Sequence, residues 1–369
     1  MNSGNPLGNK GLLERVVEIN GLFSFIKALV AIVMAFVIAF FILLVLGDNP
    51  LLAYSALFRG AFGSKRCIGE TLLSTTPLIF GALAFSLAFR CGLFNMGIEG
   101  QIAMGGMVAA YVGYAIKGLP IYIHLPLAIG MAALAGAVWG IGPGILKARF
   151  GIHEVISTIM LNYIAYEISA YMVSVRGPMK DPHSELPASP VILNSAKISR
   201  IWAGTRLHWG IFLALFMSVV VWFLLFKTRL GYKIRAVGKN RYAAEAGGIS
   251  VEKHFIITMM ISGALGGLAG GVEVLGVHYR LFAAFSPGYG WDAIAVGLLG
   301  MLHPFGVIAS SLLFGILRSG SVLMQTMANV SRDVVMVISA IIIFFMGMSE
   351  PLGKILSARI LRKSNGTDS

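Results

Sequence analysis

The feature that most constrains this chain is the apolar run from Phe25 to Leu46, which contains a single charged residue, Lys27. At about 1.5 Å of rise per residue, a helix of this length crosses a hydrocarbon core of ~30 Å. Comparable runs recur along the chain. Only 12% of the 369 residues are charged and 57% are hydrophobic, whereas soluble domains carry about 25% charged residues. The sequence therefore predicts an all-α, polytopic transmembrane helical bundle and excludes soluble enzymes and nucleic-acid-binding proteins.

Apolar windows predict about ten spans, some of them broken or re-entrant. The windows are 25–47, 71–89, 95–115, 122–146, 152–175, 208–226, 255–276, 291–302, 305–318 and 333–349. Two of them are expected to be interrupted: 293–302 is short and ends at His303-Pro304, and 95–115 is rich in glycine. Interrupted helices persist at membrane depth only where they are buried in protein or line a cavity. These regions are therefore either parts of a substrate pathway or a proline kink and a glycine packing groove.

The placement of Lys and Arg predicts the orientation, because basic residues favour cytoplasmic loops. The favoured arrangement has a cytoplasmic N-terminal segment (1–24), a transmembrane domain (25–350) and a cytoplasmic tail (351–369). It also places the basic loop 227–254 inside and the proline-rich loop 176–207 outside. The net charge of +13 then reflects basic loops beside anionic lipid rather than nucleic acid.

Glycines recur at intervals of four residues in two windows. Gly263, Gly267 and Gly271 lie on one face of the seventh helix, and Gly136 and Gly140 lie on one face of the fourth. Small residues at this spacing let helix backbones approach closely in membranes. We expect these helices to pack tightly, without a role in transport.

Polar residues at membrane depth mark a candidate substrate pathway, because they need partners or water there. The candidates are Asn95, Glu99, Gln101, Thr158 and Asn162. Asn95 and Glu99 are four residues apart and are expected to share a helical face. Hydrogen bonding between helices is the alternative role for each of them. We expect no basic residue in the middle of a span.

No catalytic residue and no metal ligand set is predicted, because the sequence lacks H-E-x-x-H, G-x-S-x-G and C-x-x-C motifs. Gly231 and Gly238-Lys239 resemble a phosphate-binding loop, but six residues separate the glycines where four are required. Asn240 also stands where Ser or Thr would hold magnesium. The chain is therefore predicted to have no ATPase site, so a partner would have to bind any ATP that drives it.

The basic loop 227–254 contains a short stretch with helical propensity, Arg241 to Ala246, followed by Gly247-Gly248 as a helix stop. Such a helix could dock into a groove on a soluble subunit. A loop that binds lipid headgroups is the alternative.

Four segments carry a family resemblance. They are RLGYKIRAVGKN (229–240) with its continuation to Val251, LFNMGIEGQ (93–101), YGWDAIAVGLLG (289–300) and HEVISTIMLNY (153–163). The first resembles the cytoplasmic coupling loop of the permease subunits of bacterial ATP-binding-cassette (ABC) importers for simple sugars, nucleosides and branched-chain amino acids. The second and third are similar to segments of the same branch, and the fourth is similar to its nucleoside-type permeases.

The resemblance implies a transport subunit of the bacterial cytoplasmic membrane that holds no cofactor of its own. Its implied partners are an ABC ATPase that binds ATP, a second permease subunit and an extracytoplasmic substrate-binding protein. Nucleosides would cross by alternating access, and the coupling residues would be Gly231, Arg235, Gly238, Asn240, Ala243, Ala244, Gly247 and Ile249. We expect Gly231, Gly238 and Gly247 to form turns, and Arg235 and Asn240 to bond across the contact.

The sequence leaves three alternative functions open. A simple-sugar permease of the ribose type shares most of the same motifs. An ion-driven secondary transporter would use Glu99 or Glu273 as its ion site and would need no docking helix. A membrane-embedded enzyme has only isolated Glu and His residues to offer.

Overall fold

The computed structural model describes residues 29–331 and, beyond them, residues 333, 334, 336–338, 340, 341, 344 and 345. The predicted segments 1–24 and 351–369, and most of the predicted helix 333–349, lie outside the described residues. The helices are α1 (Leu29–Val45), α2 (Pro50–Phe62), α3 (Lys65–Arg90), α4 (Ile98–Ala115), α5 (Ile121–Phe150), α6 (Glu154–Val173), α7 (Gly210–Lys227), α8 (Arg229–Lys239), α9 (Arg241–Ala246), α10 (Val251–Glu273), α11 (Tyr289–Leu299) and α12 (Pro304–Ala328).

The described part of the chain is a helical bundle, as predicted. Among its helices, five are long and apolar enough to cross a membrane: α3, α5, α7, α10 with its π-helical extension to His278, and α12. Every predicted apolar window up to residue 318 contains a helix. The all-α membrane fold is therefore confirmed.

The centre of the bundle is α10, which packs against α5 and α4 through glycine. A Cβ atom at Gly136 would overlap the carbonyl oxygen of Gly263, and one at Gly267 would overlap the carbonyl oxygen of Ala132. The two backbones are therefore in direct contact, which only small residues permit. This confirms the predicted packing role of the glycine stripes.

Two helices, α4 and α11, begin inside the bundle. Glu99 in the first turn of α4 is 1% exposed and Tyr289 at the start of α11 is 7% exposed. The starts of the two helices touch, since a Cβ atom at Gly290 would overlap the backbone nitrogen of Glu99. With 11 residues, α11 is about 17 Å long and cannot cross a core of ~30 Å.

The predicted interruption before His303-Pro304 is confirmed. Residues 300–303 separate α11 from α12, and Met301 and Leu302 have left-handed φ values of 54° and 55°. The predicted interruption of the glycine-rich third window is confined to its start, because residues 95–97 are not helical and α4 is continuous from Ile98 to Ala115. Its Gly105 packs against the backbone of Gly267, so this glycine provides a close contact and not a break.

Helix boundaries differ from the predictions at three places. The apolar windows do not predict α2, and α3 begins at Lys65 rather than residue 71, because the Ser64 hydroxyl caps it by accepting from the Cys67 N–H at 3.1 Å. The helix α12 continues ten residues beyond the predicted end at 318. Its second half packs against α2, where Gly60 and Gly320 meet backbone to backbone.

Loop 176–207 folds back over the end of α10. The backbone N–H groups of Ser189, Ile192 and Ile198 donate to the carbonyls of Leu281, Tyr279 and Leu275 at 2.9–3.0 Å. We call the face of the bundle that carries this loop the loop face, and the opposite face, which carries α8 and α9, the α9 face. The helix α3 joins them, since Gly69 lies against Thr205 and Arg90 lies against Gly238.

Candidate functional site

The five predicted pathway residues come together in the interior of the bundle. Asn95, Glu99, Gln101, Thr158 and Asn162 are each at most 1% exposed. Asn95 lies in the turn 91–97 that precedes α4 and not on the helix. The prediction that Asn95 and Glu99 share a helical face is therefore wrong, because the turn directs their side chains to different partners.

Asn95 connects the turn 91–97 to the centre of α10. Its Nδ2 donates to the Ser262 hydroxyl at 2.8 Å and to Gln101 Oε1 at 3.3 Å, and its Oδ1 accepts from the Gly97 N–H at 2.9 Å. The Ser262 hydroxyl in turn donates to the Ala84 carbonyl of α3 at 2.7 Å. These bonds link α3, α10 and the start of α4.

Asn162 of α6 holds the start of α4 from the other side. Its Nδ2 donates to the Met96 carbonyl and its Oδ1 accepts from the Gly100 N–H, both at 2.8 Å. Gly97 occupies the cap position and has no side chain to accept from these N–H groups, so Asn162 performs that function from a neighbouring helix. Thr158 bonds within its own helix, to the Glu154 carbonyl at 2.7 Å.

Glu99 differs from the four uncharged residues. Its Oε2 accepts a hydrogen bond from the Gly290 N–H in the first turn of α11. Its Oε1 has no hydrogen-bond partner among the described residues, although it is buried. The carboxyl group therefore lies where two helix N-termini meet, and the partial positive charge of both termini favours a negative group there.

A cavity of ≈ 600 Å³ opens between α3, α11 and α12. Its polar lining residues are Ser74, Trp291, Asp292, Arg318 and Ser321. A second cavity of ≈ 380 Å³ shares Ser74, Arg318 and Val322 with the first and extends to Glu70 and Arg206. Together the two form a route from the loop face to Asp292 in the first turn of α11. Asp292 lies two residues after Gly290, whose N–H donates a hydrogen bond to Glu99.

At the outer end of this route, Arg206 of loop 176–207 binds Glu70 of α3. Arg206 Nη2 and Nε donate to the two carboxylate oxygens at 2.6 and 2.9 Å. These hydrogen bonds raise the pKa of the Arg206 guanidinium. The two-point geometry, in which both nitrogens bind one carboxylate, fixes loop 176–207 to the start of α3.

Arg318 is the site residue that the sequence analysis missed. It lies within α12 and pairs with Asp292 of α11, with 2.8 Å between Nε and Oδ2. The expectation that no basic residue lies in the middle of a span is therefore wrong, because Arg318 lies in the middle of α12. The signal was present: Asp292 and Arg318 are isolated opposite charges in apolar surroundings, and such residues normally pair with one another.

On the α9 face, the predicted short helix is confirmed with the predicted bounds, Arg241–Ala246. The Asn240 side chain caps it by accepting from the N–H groups of Tyr242 and Ala243 at 3.1 Å. All residues from Arg241 to Gly248 are exposed except Ala244, which is 6% exposed. Nearly all side chains of α9 are therefore exposed on the outside of the bundle.

Residues 229–239 form α8, where turns at Gly231 and Gly238 were predicted; this prediction is wrong. A Cβ atom at Gly231 would overlap the carbonyl oxygen of Leu224, and one at Gly238 would overlap that of Arg90. Both glycines therefore permit close packing of α8 on the ends of α7 and α3. Gly247 does lie at the end of α9, as expected.

Arg235 makes its contacts within the chain. Its guanidinium lies 5.2 Å from the centre of the Phe226 ring and its Nε donates to the Gly231 carbonyl at 3.4 Å. Ile249 is half-buried, and its N–H donates to the Ala244 carbonyl at 3.0 Å. These contacts hold α8 against α7 and close the C-terminal end of α9.

Comparison with known proteins identifies the family of this chain. The family described as branched-chain amino acid transport system, permease component, matches residues 67–347. The chain belongs to this permease family. The resemblance noted in the sequence is thereby confirmed, and the chain is a multi-pass membrane transport component.

Three curated permeases show the range of relatives. The guanosine ABC transporter permease protein NupP of Bacillus subtilis is 43% identical over 87% of this chain and 92% of its own. The nucleoside ABC transporter permease protein NupB of Lactococcus lactis is 34% identical over 92% and 95%. The glucose ABC transporter permease protein TsgB13 of Haloferax volcanii is 32% identical over 84% and 83%. No solved structure matches the chain.

Proposed function

We propose that this permease carries nucleosides across the bacterial cytoplasmic membrane as the membrane-spanning subunit of an ABC importer. The observation that carries the proposal is α9, an exposed helix that α8 fixes to the ends of α3 and α7. The substrate class is supported by the two relatives named for guanosine and nucleosides, at 43% and 34% identity. The mechanism is alternating access driven by a partner.

The proposed partners bind at the α9 face, at the loop face and beside the chain in the membrane. An ABC ATPase subunit docks on α9 and binds the ATP, which this chain does not bind, so the chain itself is a transport subunit and not an enzyme. A second permease subunit completes the membrane unit, and an extracytoplasmic substrate-binding protein delivers substrate at the loop face. In this orientation the α9 face is cytoplasmic, and the proposal includes the cytoplasmic location of both chain termini that the placement of Lys and Arg predicts.

The proposed pathway runs through the cavity between α3, α11 and α12 toward Glu99. Glu99 closes the inner end of this route, because it occupies the contact between α4 and α11. Asn95, Gln101 and Asn162 act as positioning residues, since their hydrogen bonds hold the start of α4. Thr158 bonds within α6 and packs against Gly97 beside them.

The docking role of α9 is tested by Ala243→Trp, a bulky change at an exposed position of that helix. The matched control is Arg149→Trp, at an exposed position of α5 on the same face. We expect Ala243→Trp to reduce ATP-dependent nucleoside uptake at least about tenfold, the effect of losing about 1.4 kcal/mol of docking energy, while the purified protein stays folded. Full uptake in Ala243→Trp vesicles would refute the docking role.

A simple-sugar permease is the second candidate, supported by the relative named for glucose at 32% identity. Competition decides between the two. If the substrate is a sugar, unlabelled ribose or glucose should reduce the uptake of labelled guanosine as strongly as unlabelled uridine does. The ion-driven alternative is tested separately, because its uptake collapses with an uncoupler while ATP remains.

A further inference from the structure

Arg318 and Asp292 form a rigid pair on the wall of the cavity. Arg318 Nε donates to Asp292 Oδ2 at 2.8 Å and Nη2 donates to the Pro287 carbonyl at 2.7 Å. The guanidinium also lies 4.5 Å from the centre of the Tyr289 ring. Three contacts from the segment 287–292 therefore hold the guanidinium in one orientation before any substrate arrives.

Each member of the pair keeps a polar atom that neither of these hydrogen bonds uses. Arg318 Nη1 and Asp292 Oδ1 make no hydrogen bond to any other residue in the described ranges, whereas the other polar atoms of both groups are used. The side chains are 23% and 28% exposed and both line the ≈ 600 Å³ cavity. The wall therefore carries a donor and an acceptor, both charged and thus strong hydrogen-bonding groups.

Trp291 supplies a flat apolar surface next to this pair. It lines the same cavity and is 39% exposed. Aromatic side chains bind nucleobases by stacking, whichever base is present. A volume of ≈ 600 Å³ also falls within the range of about 300–1,000 Å³ usual for small-molecule sites.

We propose that this cavity is a nucleobase-binding subsite, in which Asp292 accepts a hydrogen bond from the base, Arg318 donates one to it and Trp291 packs on the ring. Every nucleobase carries a donor and an acceptor on one edge of a planar ring, and a sugar has no planar face. The inference rests on the proposed nucleoside function and deepens it, because it names three residues of the permease itself that contact the base after the binding protein has delivered the nucleoside.

The test uses the complete transporter in vesicles, energised with ATP, with labelled uridine and guanosine as substrates and free uracil and ribose as competitors. Trp291→Ala and Asp292→Asn are each expected to lower uptake at least about tenfold, as expected for loss of a stacking or two-point base contact. ATP hydrolysis stimulated by the loaded binding protein should persist. Trp209→Ala, at an aromatic residue that is 56% exposed and lines no part of the cavity, is the matched control.

A double variant separates binding from structure. Breaking one member of an ion pair leaves the other charge unpaired, whereas removing both charges avoids this cost. If the pair only stabilises the fold, Asp292→Asn with Arg318→Gln restores nucleoside uptake to the original rate, and the proposal is overturned. If it binds the base, the double variant folds but remains deficient in uptake.

The competitors provide the last distinction. Free uracil should compete with uridine in the unmodified transporter more strongly than ribose does. Because the binding protein is the same in both transporters, Trp291→Ala should reduce that difference only if the permease itself contacts the base. Unchanged uptake in Trp291→Ala would overturn the subsite. Failure of the proposed function looks different, because the unmodified transporter would then take up no nucleoside at all.

Discussion

Replacing Asn162 with alanine tests whether the buried amides position α4. The change removes two hydrogen bonds, to the Met96 carbonyl and from the Gly100 N–H, both 2.8 Å long, at a side chain that is 0% exposed. A buried backbone group left without a partner costs about 1–3 kcal/mol in soluble proteins. Hydrogen bonds between membrane helices contribute less, about 0.6 kcal/mol on average and ~1.7 at most. We therefore expect Asn162→Ala to lower the free energy of unfolding by about 1–3 kcal/mol in total.

The measurement is unfolding of the purified permease in detergent, by heat or by titration with a denaturing detergent. Asn194→Ala is the control, since it removes one exposed hydrogen bond, from Lys197 Nζ at 2.8 Å, and should change stability by less than about 0.5 kcal/mol. Equal stability of the two variants would refute the structural role. Transport separates positioning from contact: in Asn162→Ala vesicles kept below the unfolding transition, the KM for nucleoside should be unchanged, and a raised KM would place Asn162 on the substrate.

Two further predictions concern packing and pH. Gly136→Ala should lower the free energy of unfolding by about 1–3 kcal/mol, because the added Cβ overlaps the backbone of α10. Gly130→Ala places its Cβ in open space and should not lower it. Equal effects of the two variants in the same detergent assay would refute the backbone contact. Burial lowers the pKa of His208, between loop 176–207 and α7, to about 4, and its neutral Nδ1 accepts from the Gly210 N–H at 3.1 Å. The unfolded chain binds the proton near pH ~6.5, so the stabilisation is complete above that pH and is lost on acidification, by about 2 kcal/mol between pH ~7 and ~5. His208→Asn keeps the acceptor and removes the titration, so the stability difference between the two proteins should shrink over this range; a constant difference would contradict the assignment.

Local signals were sufficient where the structure depends on neighbours in the sequence. The helix Arg241–Ala246 could be predicted to the residue, because its residues favour a helix and Gly247 follows its end. The glycine stripes of α5 and α10 were likewise interpreted correctly, since their spacing already defines a helix face. The interruption at His303-Pro304 was predictable from proline and the shortness of the preceding apolar run.

Prediction failed where a residue's role depends on a distant segment. Gly231 and Gly238 look like turn residues in isolation, and only the carbonyls of Leu224 and Arg90 show that they are contact points within a helix. Asn95 looks helical by its distance from Glu99, but its bond to Ser262, 167 residues away, holds it in a turn. The pair of Asp292 and Arg318 is separated by 26 residues and a break. Propensity and spacing contain no information on such contacts.

These distant contacts also connect the α9 face with the cavity wall, the two places where the proposed transport cycle acts. On the α9 face, α8 touches the backbone of Arg90 at the end of α3, where the turn 91–97 begins. That turn leads directly into α4, whose Glu99 accepts from the Gly290 N–H, and Asp292 on the cavity wall lies two residues further along α11. Each step is a backbone contact, a hydrogen bond or the chain itself, so one short turn connects α8 to the contact of α4 with α11. The proposed closure by Glu99 and the proposed base contact at Asp292 are thus both made at the first turn of α11.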